Sequence, residues 1–380
     1  VADTDSVDAG STVTDTTNSA GTLVSDDTDA DASSSLYVTK ITHTNGNSSN
    51  VTYNSTKTSN AATIVGSKGT LTFGSDGSYS YAANSNAASG TDAFTYTLTD
   101  GTSTTTATLT ITINNNAPTV VNDTDSVTEG GTVIETTNSA GTVLSDDSDV
   151  DGDSLTVSGT VTQTSATDAS GSSITISSPN SASVGSAVTG YYGQLTLDSD
   201  GTYSYVANQS NANALDSGES GTDVFTFTVS DGTTTTSSTI TFTVSGANDA
   251  PTVVNDTDSV TEGGTVIETT NSAGTVLSDD SDVDGDSLTV SGTVTQTSAT
   301  DASGSSITIS SPNSASVGSA VTGYYGQLTL DSDGTYSYVA NQSNANALDS
   351  GESVTDVFTF TVSDGTTTTS STITFAVSGA

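Results

Sequence analysis

The stretch Thr222-Asp-Val-Phe-Thr-Phe-Thr-Val-Ser-Asp-Gly-Thr-Thr-Thr-Thr-Ser-Ser-Thr-Ile-Thr-Phe-Thr-Val-Ser245 decides the fold class. Phe225, Phe227 and Val229 alternate with Thr226 and Thr228, and Ile240, Phe242 and Val244 alternate with Thr241 and Thr243. A period of two sends one side chain inward and the next outward, so each half is a strand with one apolar face. Threonine on the outward face is β-branched and suits a pleated surface. Asp231-Gly232 between the halves is a hairpin signal. Shorter alternating runs lie upstream at Leu155/Val157, Ile174/Ile176, Leu195/Leu197 and Tyr203/Tyr205, the last two pairs separated by the turn sequence Asp198-Ser-Asp-Gly201. No stretch has helical periodicity. About seven strands in ~125 residues predict an all-β chain of tandem immunoglobulin-like or cadherin-like β-sandwich domains arranged end to end.

Outward from this hairpin, the chain repeats. Residues 118–247 match 251–380 at 128 of 130 positions, and the two exceptions are Gly221 against Val354 and Thr243 against Ala376. The first third is a diverged copy, in which Asp3-Thr-Asp-Ser-Val7 aligns with Asp123-Thr-Asp-Ser-Val127. Three domains are therefore expected at 1–116, 117–249 and 250–380. Their boundaries fall at Asn114-Asn-Asn-Ala-Pro118 and Asn248-Asp-Ala-Pro251, where proline stops ladder hydrogen bonding and keeps the preceding residue extended. Linkers this short predict a stiff rod rather than beads on a flexible string. Adjacent identical active sites rarely help an enzyme, whereas a spacer gains length from every copy. Both chain ends align with repeat junctions, Val1 with Val121 and Ala380 with Ala247, which suggests a segment of a longer array or a subunit that joins head to tail.

Composition narrows the partners. The formal net charge is -41 with only three basic residues, Lys40, Lys57 and Lys68, so nucleic acid and anionic membrane surfaces are poor partners and cations are natural ones. There is no cysteine, which excludes disulfide staples and thiolate chemistry. Leu, Ile, Val and Phe together make just under a fifth of the chain, so each core must be small and something else must stiffen the array. No apolar run approaches the roughly 20 residues of a membrane-spanning helix, and no membrane insertion is expected.

The sharpest local signal is Asp146-Asp-Ser-Asp-Val-Asp-Gly-Asp153, repeated as Asp279-Asp-Ser-Asp-Val-Asp-Gly-Asp286. Calcium takes six to eight oxygens at about 2.3–2.6 Å, and carboxylates at alternate positions of a glycine-containing loop can converge on one ion. Asp147, Asp149, Asp151 and Asp153, with Asp280, Asp282, Asp284 and Asp286, are the candidate ligands. The alternative is a solvated acidic loop whose aspartates only cap turns. The loop lacks the terminal glutamate of an EF-hand. A second oxygen set flanks the junctions: Asn248 and Asp249 before the Ala-Pro step, Asp256 after it, and Asp123 at the equivalent earlier position. Calcium there would tie one domain to the next. In the first domain the corresponding loop residues are Asp27, Asp29 and Asp31, but Asp31-Ala-Ser33 replaces Asp-Gly-Asp and Asn114-Asn-Asn116 replaces Ala-Asn-Asp, so that loop and the junction after it are the weaker sites.

Four motifs occur in fixed order: Leu144-Ser-Asp-Asp-Ser-Asp-Val-Asp-Gly-Asp-Ser-Leu-Thr-Val157, Gly193-Gln-Leu-Thr-Leu-Asp-Ser-Asp-Gly-Thr-Tyr-Ser-Tyr205, Thr222-Asp-Val-Phe-Thr-Phe-Thr-Val-Ser-Asp-Gly232 and Asn248-Asp-Ala-Pro251. Together they resemble the VCBS and cadherin-like tandem repeats of giant bacterial surface proteins. The resemblance implies a secreted, calcium-binding extender of an adhesin, biofilm-matrix or surface-filament protein, often exported by a type I system. The partners then expected are neighbouring repeats of the same kind, packed head to tail or laterally, and surface glycans.

Enzyme readings have little to stand on. His43 is the sole histidine and reads as a surface residue, leaving no conventional triad. Glu129, Glu135 and Glu219 show no apolar setting that would raise a carboxyl pKa for glycosidase chemistry. Rival non-catalytic readings are a carbohydrate- or ice-binding module, with Tyr191, Tyr192, Tyr324 and Tyr325 as its agents, and plain halophilic acidity without specific metal. The sequons at Asn50, Asn54, Asn122 and Asn208 allow glycosylation, although such triplets arise by chance in a threonine-rich chain.

Overall fold

The computed structural model describes residues 1–15, 22–31, 35–52, 61–136, 141–269 and 274–380. Ser33, Asn54 and Lys57 lie outside the described residues. Three β-sandwiches follow one another along the chain, each made of two sheets. In the second domain the larger sheet runs Asp123–Thr128, Thr235–Ser245, Ser220–Ser230, Thr156–Thr167 and Ser173–Ile174, with Ser181–Ser183 also paired to Thr156–Thr167. The smaller sheet runs Thr132–Glu135, Tyr203–Val206, Gln194–Leu197 and Val188–Thr189. The third domain repeats this order. The first has a five-stranded and a four-stranded sheet.

The long hairpin forms as the alternation predicts. Phe225 pairs with Ile240 and Val229 with Thr236, and the inward residues of both strands are buried. Fully burying one such side chain stabilises by about 1.5–3 kcal/mol, so this hairpin is the main apolar anchor of the domain. Against it the Tyr205 ring stacks on Phe242 with centroids 4.1 Å apart and planes at 6°. The turn at 198–201 closes through Asp198 N–H to Thr202 O at 2.9 Å, with Gly201 at φ 84°, a left-handed conformation that favours glycine. Ile176 falls outside any strand, and one helical turn, Ser210–Asn213, appears where the sequence shows no helical period. One turn is too short for periodicity to register.

Two topological features set the character of the junctions. The opening strand lies parallel to the closing one, with Asp123 beside Ile240 and Thr128 beside Ser245, so the end of the opening strand sits where the chain leaves the domain. Among the described residues, apolar side chains form one core per domain, and none of these three cores runs into the next. Among the described residues, the junctions are therefore polar.

One correction concerns His43. It is not on the surface: its side chain is 2% exposed and its Nε2 lies 2.6 Å from Asp92 Oδ1. Asp92 is buried and also accepts bonds from Ser67 N, Ser67 Oγ, Lys68 N and the Tyr81 hydroxyl. Burial pushes its carboxyl up, but the Tyr81 hydroxyl and these N–H groups outweigh burial and hold it below the usual range. Ser67 bonds the carboxylate rather than the imidazole, so the cluster is a carboxylate clamp. In the second domain Gln163 takes the histidine's place, its Nε2 lying 3.1 Å from Asp223.

Candidate metal centres at the domain junctions

The acidic loop is shaped by its own short-range bonds. Asp149 Oδ1 accepts the Asp151 N–H at 2.7 Å, and Gly152, at φ 78°, donates its N–H to Asp149 O at 3.2 Å. This curl brings carboxylate oxygens of Asp149, Asp151 and Asp153 within 4.8 Å of one another. The loop is fixed to the linker by paired backbone bonds between Thr119 and Ser148, at 2.8 and 3.0 Å. Thr252 and Ser281 repeat the arrangement in the third domain.

Asp147 does not join that group. Its Oδ1 accepts the Val121 N–H at 2.8 Å, and its buried Oδ2 has no hydrogen-bond partner. Asp123 likewise has a buried, unpartnered Oδ2. Burial, then the charges of Asp146 and Asp147, push the Asp123 carboxyl up to about 7. Asp280 and Asp256 repeat this, with Asp256 also raised to about 7 by burial and by Asp279 and Asp280. The eight-residue loop thus divides into two groups: Asp147 turns to the Val121 N–H and acts on Asp123, while Asp149, Asp151 and Asp153 converge on one another. In the first domain Asp27 holds the Val1 ammonium, while Asp29 Oδ1 accepts the Asp31 N–H at 2.7 Å.

Loop and junction, read apart in the sequence, are one place. The Asp249 N–H donates to Asp284 Oδ2 at 2.8 Å. Asp216, from the segment before the long hairpin of the second domain, has a carboxylate oxygen within 4.8 Å of those of Asp284 and Asp286 in the third. Glu129, just past the opening strand, accepts the Ala247 N–H through Oε1 at 2.8 Å. Its carboxyl is raised by burial and by the charges of Asp249, Asp284 and Asp216. Asn248 Nδ2 donates to Asp364 Oδ2 at 3.0 Å, bracing the linker against the hairpin turn of the next domain.

Buried oxygens without partners remain at this junction: Glu129 Oε2, Asp282 Oδ2 and Asp284 Oδ1. A buried carboxylate oxygen that meets only other carboxylates is costly unless a cation or proton satisfies it. Hard oxygen donors at high charge density fit calcium. Sequence reasoning missed Glu129 and Asp216 as members. The parallel pairing of first and last strands was the available signal for Glu129, since it places residue 129 at the domain exit. Asp216 carried no such signal.

The tyrosine pair is placed differently from a binding platform. Tyr192 is 2% exposed, and its hydroxyl donates to Thr167 O at 2.9 Å. Tyr191 packs edge-on against it with centroids 4.9 Å apart.

Residues 115–246 and 248–379 each match the bacterial cadherin-like domain, together more than half of the chain. The chain belongs to the bacterial cadherin-like family. Among solved structures it is similar to domains EC3-6 of protocadherin gammaB7, at 11% identity and a TM-score of 0.35, covering 88% of this chain and 68% of that one. It is similar to the titin I-band fragment I67-I69 at 8% identity and a TM-score of 0.27, covering 100% and 95%. It is also similar to an endo-fucoidan hydrolase of glycoside hydrolase family 107 at 18% identity and a TM-score of 0.23, where 85% of this chain covers 39% of that longer one. None of the curated proteins matches it. The cadherin-like assignment therefore rests on the two family matches, and the acidic clusters between its domains are compatible with calcium.

Proposed function

We propose that this cadherin-like array is a non-catalytic, extracellular extender whose rigidity is set by calcium at its domain junctions. The observation that carries the reading is the meeting of Asp216 with Asp284 and Asp286 across a junction that, among the described residues, has no apolar seal. Like charges brought together from two domains push them apart, and the short linker cannot carry them out of range. A divalent ion reverses the sign of that interaction, so the same residues that loosen the bare junction close the loaded one. Glu129, Asp216, Asp249, Asp282, Asp284 and Asp286 would hold the ion.

Function in this reading is reach: the array holds an adhesive or anchoring element away from the cell, or packs with its own kind in a filament. Secretion and a cell-surface or matrix location follow from that role. Thermal melts of the full chain in calcium, in magnesium and in EGTA test the metal requirement. Calcium alone raises the unfolding midpoint if the reading holds, since a ligand that binds only the folded state stabilises by about 2.7 kcal/mol at a hundred times its Kd. Identical melts in all three would end it.

A further inference from the structure

Acidic side chains of the second domain lie in turns, loops and linkers, or on the inward side of strands. The outward side of the larger sheet carries none. On Thr235–Ser245 every outward residue is serine or threonine, and on Ser220–Ser230 the sole exception is Val224. The opening strand adds Thr124 and Ser126, while Asp123 and Asp125 between them pair with the buried Ile240 and Phe242. The face recurs in the third domain, where its one change, Thr243 to Ala376, is also uncharged. Its hydroxyls are partly satisfied within the sheet: Thr164 and Thr226 bond at 3.1 Å, Thr167 and Thr222 at 2.8 Å, and the Thr228 hydroxyl donates to Ser158 O at 2.6 Å. Covering hydroxyls that already have partners costs less than covering free ones.

Charge, area and shape together select the occupant. In a chain of net charge -41, contact through the ends of the domains sets acid against acid, and this face is where a second copy can approach without that repulsion. Three strands of 11, 11 and 12 residues and one of 6 give the face roughly 600 Å², at about 4.8 Å between strands and 3.3 Å per residue. The outward side of the smaller sheet, with Ile134, Thr196 and Ser204, is also uncharged, but its strands of two to four residues cover only roughly 200 Å². A stable interface takes about 800 Å² from each partner, so one larger face falls short and two pass it. A sugar site is concave and lined by aromatic rings, whereas this face is open sheet with no ring at its outward positions.

We propose that the outward serine and threonine face of the larger sheet is the surface through which two copies of this chain pack side by side, sheet on sheet. This rests on the filament role in the reading above and names its contact; it holds whether or not calcium closes the junctions. Each face alone is too small to hold a partner, so association draws on at least two domains of each chain. The near-identity of the second and third domains then supplies the same contact twice.

Sedimentation of the full chain over a concentration series tests this, at about 0.15 M salt, where charges more than ~8 Å apart are screened. Wild type is expected to self-associate. Thr226 and Thr359 sit mid-face, each between two strands, and the pair Thr226→Glu/Thr359→Glu raises the dissociation constant on the order of tenfold or more, with Thr226→Glu alone doing less. Thr196→Glu/Thr329→Glu puts the same charges on the smaller sheets and leaves association unchanged. Mixing the glutamate pair with Thr226→Lys/Thr359→Lys restores it, which a folding defect could not do. A wild type that stays monomeric, or association that the mid-face charges leave alone or that the smaller-sheet charges weaken equally, overturns the proposal. A monomeric wild type that binds an uncharged polysaccharide, and loses it in the glutamate pair, assigns the face to a glycan instead. The melts in calcium and EGTA judge the calcium reading separately.

Discussion

The Tyr205 hydroxyl donates to the Asp223 carboxylate at 2.7 Å inside the second domain, where both side chains are buried. The same carboxylate gathers the N–H groups of Tyr191, Tyr192 and Gly193 at 2.8, 2.9 and 3.1 Å. One aspartate therefore ties the smaller sheet to the larger and satisfies a tight backbone turn that the core would otherwise leave without acceptors. Asp223→Ala is expected to lower the stability of that domain by more than about 3 kcal/mol, since it strands several buried donors. Tyr205→Phe, which removes one donor, costs about 1–2 kcal/mol. Denaturation of the full chain, followed by calorimetry, checks the ranking. Equal losses would contradict the clamp.

The two near-identical domains differ usefully at one core position. A Cβ placed on Gly221 would lie 2.2 Å from the Tyr192 hydroxyl oxygen, yet the third domain buries Val354 there and keeps the Tyr325 hydroxyl 2.9 Å from Thr300 O. The scaffold thus takes the valine with a small ring shift. Gly221→Val is predicted to stabilise the second domain by about 1–2 kcal/mol, through added apolar burial and a less flexible unfolded chain. A fall in its unfolding midpoint would show that the ring cannot move.

Calcium-free protein is predicted to lose stability as pH rises from about 5 to 8. Asp123 and Asp256 titrate near 7 in the fold against 3.8 ordinarily, because burial and neighbouring aspartates disfavour the charged form. A folded pKa above the unfolded one means the fold binds the proton more tightly, so that contribution is complete below pH 4 and is lost as pH climbs through 7. Glu129, Asp147, Asp280 and Asp284 are raised as well and add in the same direction. Scanning calorimetry of chelator-stripped protein at pH 5.5 and 8 reads this directly. A higher midpoint at pH 8 would refute it.

Single charge removals at the second junction should weaken calcium without unfolding anything. Glu129→Gln and Asp216→Asn each lower calcium affinity by about tenfold, because each removes one anionic oxygen donor from a charge-dense site. Their melts in EGTA should equal or exceed the wild-type midpoint, since like-charge repulsion is relieved. A lower EGTA midpoint would mark these residues as structural.

How much of this could be read in the sequence depends on the range over which each signal acts. The Phe225/Phe227/Val229 and Ile240/Phe242/Val244 alternation is local, and it specified the hairpin, its faces and the sandwich. Pro118 and Pro251 located the linkers for the same reason. His43 escaped because its partner, Asp92, is 49 residues away. The loop aspartates were recognised, but their division was not: spacing cannot say which way a curled loop turns Asp147 relative to Asp149. Asp216 entered the junction only through the docking of one domain on the next.

The central claim is that calcium sets the rigidity of the array, and small-angle scattering of the full chain with and without calcium tests it most directly. Three sandwiches of roughly 30–40 Å each, set end to end, give a calcium-loaded rod of about 90–120 Å. Chelation should shorten the maximum dimension and broaden the distance distribution, and restored calcium should reverse both. Superimposable scattering profiles in calcium and in EGTA would contradict the account.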